Sequence, residues 1–309
     1  MTGHHGDDEY DYEALPDNTP LTASLLAGAF AGIAEHAVMY PVDSIKTRMQ
    51  VLQPTPQAMY TGVINAATRI STTEGARTLW RGVNSVILGA GPAHALYFGT
   101  YEYTKEMFGG NQAGHHPLAA AGAGACATIA SDALMNPFDV IKQRMQVHGS
   151  VYKNVMDCAT KVWRAEGFRA FYISYPTTLT MTIPFQSIQF ATYEYFRKAL
   201  NPNGQYDPMT HIVSGGIAGG VAAAATTPLD VAKTLLQTRG EATDPRIRNC
   251  SGLTDAFKLI YQRQGMAGFA KGLQPRVLSH MPSTAICWSV YEYGKWFLRR
   301  QEDQQPILQ

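Results

Sequence analysis

Three Ala/Gly-rich stretches of helix length, residues 21–40, 117–136 and 209–227, are interrupted only by single polar residues. A second set of the same length, 83–108, 173–200 and 273–298, alternates with them along the chain. No run of 18 apolar residues is unbroken, which argues against simple lipid-facing spans. Polar residues inside membrane helices face a bundle interior or a watery cavity. The pattern therefore predicts six membrane helices around a water-lined centre. Small residues support close packing: Gly28, Gly124 and Gly215 recur with Gly32, Thr128 and Gly219 four positions on.

The alternation is part of a threefold repeat, the feature that decides architecture before any single motif does. Pro41-Val-Asp43-Ser-Ile-Lys46-Thr-Arg48-Met-Gln50 aligns without gaps on Pro137-Phe-Asp139-Val-Ile-Lys142-Gln-Arg144-Met-Gln146 and on Pro228-Leu-Asp230-Val-Ala-Lys233-Thr-Leu-Leu-Gln237. Each is followed by Glu74-Gly75 with Trp80-Arg81-Gly82, by Glu166-Gly167 with Phe171-Tyr172, or by Gln264-Gly265 with Phe269-Ala-Lys271-Gly272. Each repeat closes on a Tyr-Glu pair and a base: Tyr101, Glu102 and Lys105; Tyr193, Glu194 and Arg197; Tyr291, Glu292 and Lys295. The expected organisation is an acidic tail over 1–20, repeats over 21–112, 113–203 and 204–300, and a second tail over 301–309.

Charge orients the repeats. The three loops inside them, 46–82, 142–169 and 233–276, carry +4, +4 and +5. The opposite segments, 1–20, 102–117, 194–210 and 292–309, carry −6, −1, 0 and 0. The positive-inside rule puts the loops inside and both termini outside. The net charge of +1 is not that of a general nucleic-acid binder. Cys126, Cys158, Cys250 and Cys287 form neither a disulfide framework nor a metal motif. No nucleophile–base pair or cofactor motif supports an enzyme. Gly122-Ala-Gly124 imitates a dinucleotide fingerprint but follows no strand.

These triplicate motifs resemble the mitochondrial carrier family over about residues 20–300. The resemblance implies an all-α membrane protein of six transmembrane helices in three tandem pseudo-symmetric repeats, monomeric, in the mitochondrial inner membrane among lipids such as cardiolipin. Both termini would then lie toward the intermembrane space. It also implies two gates that form alternately. Asp43, Lys46, Asp139, Lys142, Asp230 and Lys233 would form the matrix gate, braced by Gln50, Gln146 and Gln237. Glu102, Lys105, Glu194, Arg197, Glu292 and Lys295 would form the cytoplasmic gate, braced by Tyr101, Tyr193 and Tyr291. Phe171-Tyr172 and Gln264 depart from the family pattern. The prolines opening the first motifs are expected to kink or break their helices.

The family's substrate contact positions fall near Gly89–Ala90, Met181–Thr182 and His280, with neither Lys nor Arg among them. Arg276, one turn away, is weak support for an anion. On the face set by Asp43 lie His36 and Met39; the same offsets from Asp139 give Asp132 and Met135, followed by Asn136. His94 lies eight residues before Glu102. Imidazole and thioether suit borderline and soft divalent ions, among which Fe, Mn, Co, Cu and Zn are not separated by ligand type alone. Each residue also has an ordinary structural reading, as a helix–helix hydrogen bonder or a gap filler.

Glu35-His36-Ala-Val-Met39-Tyr-Pro41, Gly91-Pro92-Ala-His94 and Met135-Asn136-Pro137 are similar to the mitoferrin subfamily of iron carriers. That similarity implies His36, His94 and His211 as metal-path histidines, with Met135, Asn136, Met181 and Thr182 beside them. Fe²⁺ is then a transported substrate, with no permanently bound cofactor. Another divalent metal, a metal chelate or a small organic ion is the alternative cargo. The first 20 residues hold six acids and no base, unlike a transit peptide, so import is expected to use internal signals. Asn249-Cys-Ser251 would lie on the matrix side and stay unmodified.

Overall fold

The computed structural model describes residues 38–52, 59–108, 117–201 and 208–283. Every regular element among them is helical. In chain order they are α1 (38–50), α2 (Val63–Ile70), α3 (Val83–Met107), α4 (Pro117–Gln146), α5 (Val155–Glu166), α6 (Tyr175–Leu200), α7 (Pro208–Thr238), the single turn α8 (Pro245–Arg248), α9 (Leu253–Gln264) and α10 (273–283). A repeat is thus a long helix, a short one (α2, α5 or α9), a tight turn, and a second long helix.

The long helices run further than apolar patterning suggests. α4 continues ten residues past Asn136 and α7 eleven past Thr227, with Pro137 and Pro228 inside them. The prolines therefore do not break these helices. A proline removes one backbone donor but leaves every later one. The Asp-Lys-Gln residues that follow still gain helical partners and form the last three turns. Asp, Lys and Gln at i, i+3 and i+7 share one helical face.

Each short helix buries one face against the end of its long helix. Ile45 packs with Ala66, Ile70 and Leu79. Val140, Ile141 and Met145 pack with Cys158, Val162 and Phe171. Val231, Leu235 and Leu236 pack with Ile247, Leu259 and Ile260. These cores all lie at the basic end of the bundle. Asn154 accepts the Asp157 amide at 2.8 Å and so caps α5. Along the rest of the long helices, large apolar residues such as Ile183, Phe190 and Leu88 are exposed.

α3 packs along α4, and α6 along α7. Glycine permits the closest approaches. A Cβ on Gly89 would stand 2.7 Å from the Phe138 ring and 2.9 Å from Met135 Sδ. Gly216 and Gly220, four apart, meet α10 at Met281 and Val277. They stand one residue on from the pair that spacing nominates. Gly124 has no neighbour within 4 Å of a Cβ among the described residues. Gly82 and Gly272 open α3 and α10 at φ 93° and 72°, and a Cβ there would meet Tyr40 Oη at 2.8 Å and Gln50 Cγ at 2.7 Å. Repeat 2 has Ser174 at the equivalent position, at φ −87°, so it needs no glycine there.

Candidate functional site

The motif helices bring six charges into one ring at the basic end. Lys46 Nζ lies 2.9 Å from Asp230, Lys142 Nζ 2.9 Å from Asp43, and Lys233 Nζ 3.5 Å from Asp139. Every lysine reaches an aspartate of another repeat, so the ring ties α1 to α7, α4 to α1, and α7 to α4. The Lys46 and Asp230 side chains are 14% and 6% exposed. Such pairs lose hydration nearly as fast as they gain Coulomb energy, so their net worth depends on supporting hydrogen bonds.

That support is uneven. Gln50 Nε2 donates to Asp230 Oδ2 at 2.7 Å, and its Oε1 accepts from Thr234 Oγ at 2.7 Å. Gln146 Oε1 accepts from Thr47 Oγ at 2.8 Å. No bond joins Gln146 to Asp43 among the described residues. Ser279 Oγ donates to Asp43 instead, at 2.8 Å. Gln237 is fully buried, and neither end of its amide has a hydrogen-bond partner among the described residues. Only one of the three expected glutamine braces therefore has the expected geometry. Arg276 Nη1 lies 2.5 Å from Asp230 Oδ1, and Nη2 donates to Thr226 Oγ at 2.8 Å and toward Met181 Sδ at 3.6 Å.

A second layer closes the basic end from below. Arg48 grips Glu74 through both guanidinium nitrogens at 2.5 and 2.9 Å, while its Nε donates to the Gln146 carbonyl at 2.9 Å. Arg144 repeats this with Glu166 and the Gln237 carbonyl. Bidentate charge-assisted pairs of this kind hold geometry as well as charge. Burial opposes the charge on Glu74 and Glu166, yet these arginines hold both carboxyls below the ordinary glutamate range, with His148 helping Glu74. His148 Nδ1 lies 2.6 Å from Glu74 Oε1. Repeat 3 has Leu235 at the arginine position and Gln264 at the acid. Leu235 is buried, and Gln264 Nε2 donates to the Leu52 carbonyl at 2.6 Å. The arginine two residues after the gate lysine was the available signal for this layer. Arg276 and Ser279 had none, because neither recurs in the other repeats.

The opposite end is arranged differently. Glu194 pairs with Arg197 and Lys198 of its own helix at 3.2 and 3.6 Å. Glu102 is exposed, and Lys105 lies over the Tyr101 ring at 5.7 Å. Among the described residues no ion pair joins α3 to α6 there. His36, Glu292, Lys295 and Tyr291 lie outside the described residues.

Between the two ends, the nominated path residues separate into two groups. Asp132 is half-buried, two turns above Asp139 on the same face of α4, and has neither hydrogen bond nor ion pair among the described residues. His94 is exposed on α3, on one stripe with Tyr97 and Tyr101. His280 packs beside the Phe185 ring at 5.1 Å. The others are held by the protein. Asn136 is 1% exposed; its amide donates to the Phe171 carbonyl and accepts from Ser174 Oγ at 3.3 Å. Both ends of the amide are thus engaged, across the α4–α6 junction. Met39 is buried, Met135 is wedged against Gly89, and the Thr182 hydroxyl bonds back to the Thr178 carbonyl at 3.0 Å. His211 is buried, its Nδ1 2.5 Å from Tyr193 Oη. No three of His, Cys, Asp and Glu converge among the described residues.

Comparison with known proteins extends this picture to the whole chain. The family model described as mitochondrial carrier protein matches residues 17–112, 114–204 and 204–302. An uncharacterized mitochondrial carrier of Schizosaccharomyces pombe is 53% identical over 293 residues, 95% of this chain and 96% of that protein. Human Mitoferrin-1 is 51% identical over 306 residues, 96% of this chain and 90% of its own. A Saccharomyces cerevisiae protein called mitochondrial RNA-splicing protein MRS3 is 49% identical over 93% of this chain and 92% of its own.

Proposed function

This chain belongs to the mitochondrial carrier family, and from that premise we propose that it transports Fe²⁺ across the mitochondrial inner membrane into the matrix by alternating access, supplying haem and iron–sulfur cluster synthesis. The reading rests on half-identity to Mitoferrin-1 over nearly the full length of both chains. The site chemistry agrees. Arg276, the basic residue nearest the contact positions, is turned to Asp230, which it shares with Lys46. Asp132, on the face that leads to the gate, has neither hydrogen bond nor ion pair among the described residues. A cation is suited to that floor and an anion is not. The splicing name of the yeast relative stays with that protein; the net charge here is only +1.

On this reading the lysine–aspartate ring is the closed matrix gate, and the ion enters from the opposite side. His94 and His280 exchange waters of the ion in the outer cavity. Asp132 receives it above the gate, with His36, Met39 and Met135 around that level. His211 becomes available as Tyr193 moves to brace the closing cytoplasmic gate. The ion's preference for one gate arrangement over the other shifts the equilibrium between them. A potential negative inside favours entry by about 4.6 kcal/mol per 100 mV for a dication, so the gradient alone can drive transport.

The test is Fe²⁺ uptake under reducing conditions into proteoliposomes, with and without a potential. The His36→Ala and His94→Ala variants are compared, and Mn²⁺, Zn²⁺ and Cu⁺ serve as competitors. Potential-stimulated uptake that falls about tenfold in the histidine variants is the expected result. A folded protein that admits no iron would overturn the assignment of cargo.

A further inference from the structure

The three lysine–aspartate pairs of the ring are equivalent in sequence but not in structure. The pair between α1 and α7 has Gln50 and Arg276 on its aspartate, and the pair between α4 and α1 has Ser279 on its aspartate. The pair between α7 and α4, Lys233 with Asp139, is the longest at 3.5 Å, and nothing else among the described residues bonds to Asp139. By symmetry its brace is Gln237, which is fully buried and unbonded at both ends of its amide.

A sequence difference stands one residue after the gate lysine. Thr234 and Thr47 occupy that position in repeats 3 and 1, and each donates its hydroxyl to the Oε1 of a brace glutamine, Gln50 and Gln146. Gln50, held so, donates its amide nitrogen to Asp230, whereas the Gln146 amide nitrogen has no partner among the described residues. Repeat 2 has Gln143 there, and its Oε1 is likewise buried without a partner. The long amide that replaces the hydroxyl does not engage Gln237 Oε1, and of the three brace glutamines only Gln237 has neither end of its amide bonded among the described residues.

We propose that Gln143 makes the α4–α7 junction the weak seam of the matrix gate, so that the gate opens by separation of Lys233 from Asp139 before the other two pairs part. The inference rests on the reading of the ring as that gate. It gives the substrate a direct means of opening it. A dication held at Asp132, two turns above Asp139 on the same helix, repels Lys233 and competes for the Asp139 carboxylate. The pair most exposed to the ion is then the pair with the least support.

The test installs the missing hydroxyl. Purified full-length protein carrying Gln143→Thr, and the same protein carrying Gln143→Thr with Gln237→Ala, are compared with the unaltered chain by thermal unfolding without iron and by Fe²⁺ uptake in proteoliposomes. Gln143→Thr is expected to raise the unfolding temperature and slow uptake about threefold to tenfold, the shift given by one added hydrogen bond. Adding Gln237→Ala is expected to reverse both changes. An unchanged Gln143→Thr protein, or an effect that survives Gln237→Ala, overturns the proposal. If even the unaltered chain takes up no iron, the assignment of cargo fails while the unfolding comparison still decides the seam.

Discussion

Asp132 and Asn136 lie one turn apart on α4 and show how neighbouring polar residues divide between function and structure. A half-buried carboxylate without a partner destabilises the fold that holds it. Asp132→Asn should therefore raise the unfolding temperature while lowering Fe²⁺ uptake about tenfold or more, since the ion loses its formal counter-charge. A purely structural aspartate would give the opposite sign in the melt. Asn136→Ala removes two hydrogen bonds and strands the Phe171 carbonyl, at about 1–3 kcal/mol. Calorimetry should show that loss, and uptake per folded molecule should stay near that of the unaltered chain. Lys46 and Arg276 share Asp230, so Asp230→Asn strands two buried cations while Arg276→Gln leaves the aspartate paired with Lys46, and the aspartate substitution is expected to cost more in thermal unfolding.

At the scale of elements, the basic end is stitched by two Arg–Glu pairs and one uncharged substitute. Leu235 sits in the apolar cluster beneath α7, and Gln264 spans the junction to the Leu52 carbonyl. Leu235→Arg alone would bury an unpaired charge, at about 3–5 kcal/mol. Combined with Gln264→Glu, it should recover a measurable part of that loss, and a double-mutant cycle on chemical or thermal unfolding would read the coupling. Glu74 and Glu166 have carboxyls held below their ordinary value of 4.5. Their stabilisation is fully present above that value and is lost as pH falls through the lower folded values. Between pH 7 and pH 4, a Glu74→Gln, Glu166→Gln protein should thus lose less unfolding temperature than the unaltered chain. Turn geometry matters at the same scale. Gly272→Ala would place a Cβ 2.7 Å from Gln50 Cγ at a positive φ, so it should loosen the one formed glutamine brace as well as strain the turn.

At the scale of the whole molecule, the ring and the Arg–Glu layer beneath it tie the repeats to one another at the basic end. Alternating access requires such a tie to part when the opposite side closes. Accessibility follows from it. A cysteine placed at exposed His94 should react with a water-soluble maleimide added from the outer side, whereas one at buried Thr47 should be protected until the matrix gate opens. Uptake driven by the potential should in addition rise with voltage as expected for a doubly charged cargo, about 2.3 kcal/mol per charge per 100 mV.

The architecture was legible in the chain because it is written three times. Proline, aspartate, lysine and glutamine at fixed offsets specify a helical face, and triplicate spacing specifies a ring. Loop charge gives an expected orientation, and the iron cargo came from the resemblance carried by the His36, His94 and Met135 strings, since ligand type alone does not separate the divalent metals. Repetition cannot show where the copies stop being equivalent. That Gln50 braces its aspartate while Gln237 has no bond among the described residues is decided by what the packing of α1 on α7 and of α7 on α4 brings alongside each amide. That Asn136 turns to the Phe171 carbonyl and Asp132 keeps its carboxylate free depends on what α6 places opposite each. Arg276 and Ser279 reach the ring from α10, far along the chain and without counterparts in the other repeats. Periodicity determines which face a residue shares; only the tertiary structure decides what stands across from it, because hydrogen bonds and ion pairs are short-range and the partners are remote in sequence.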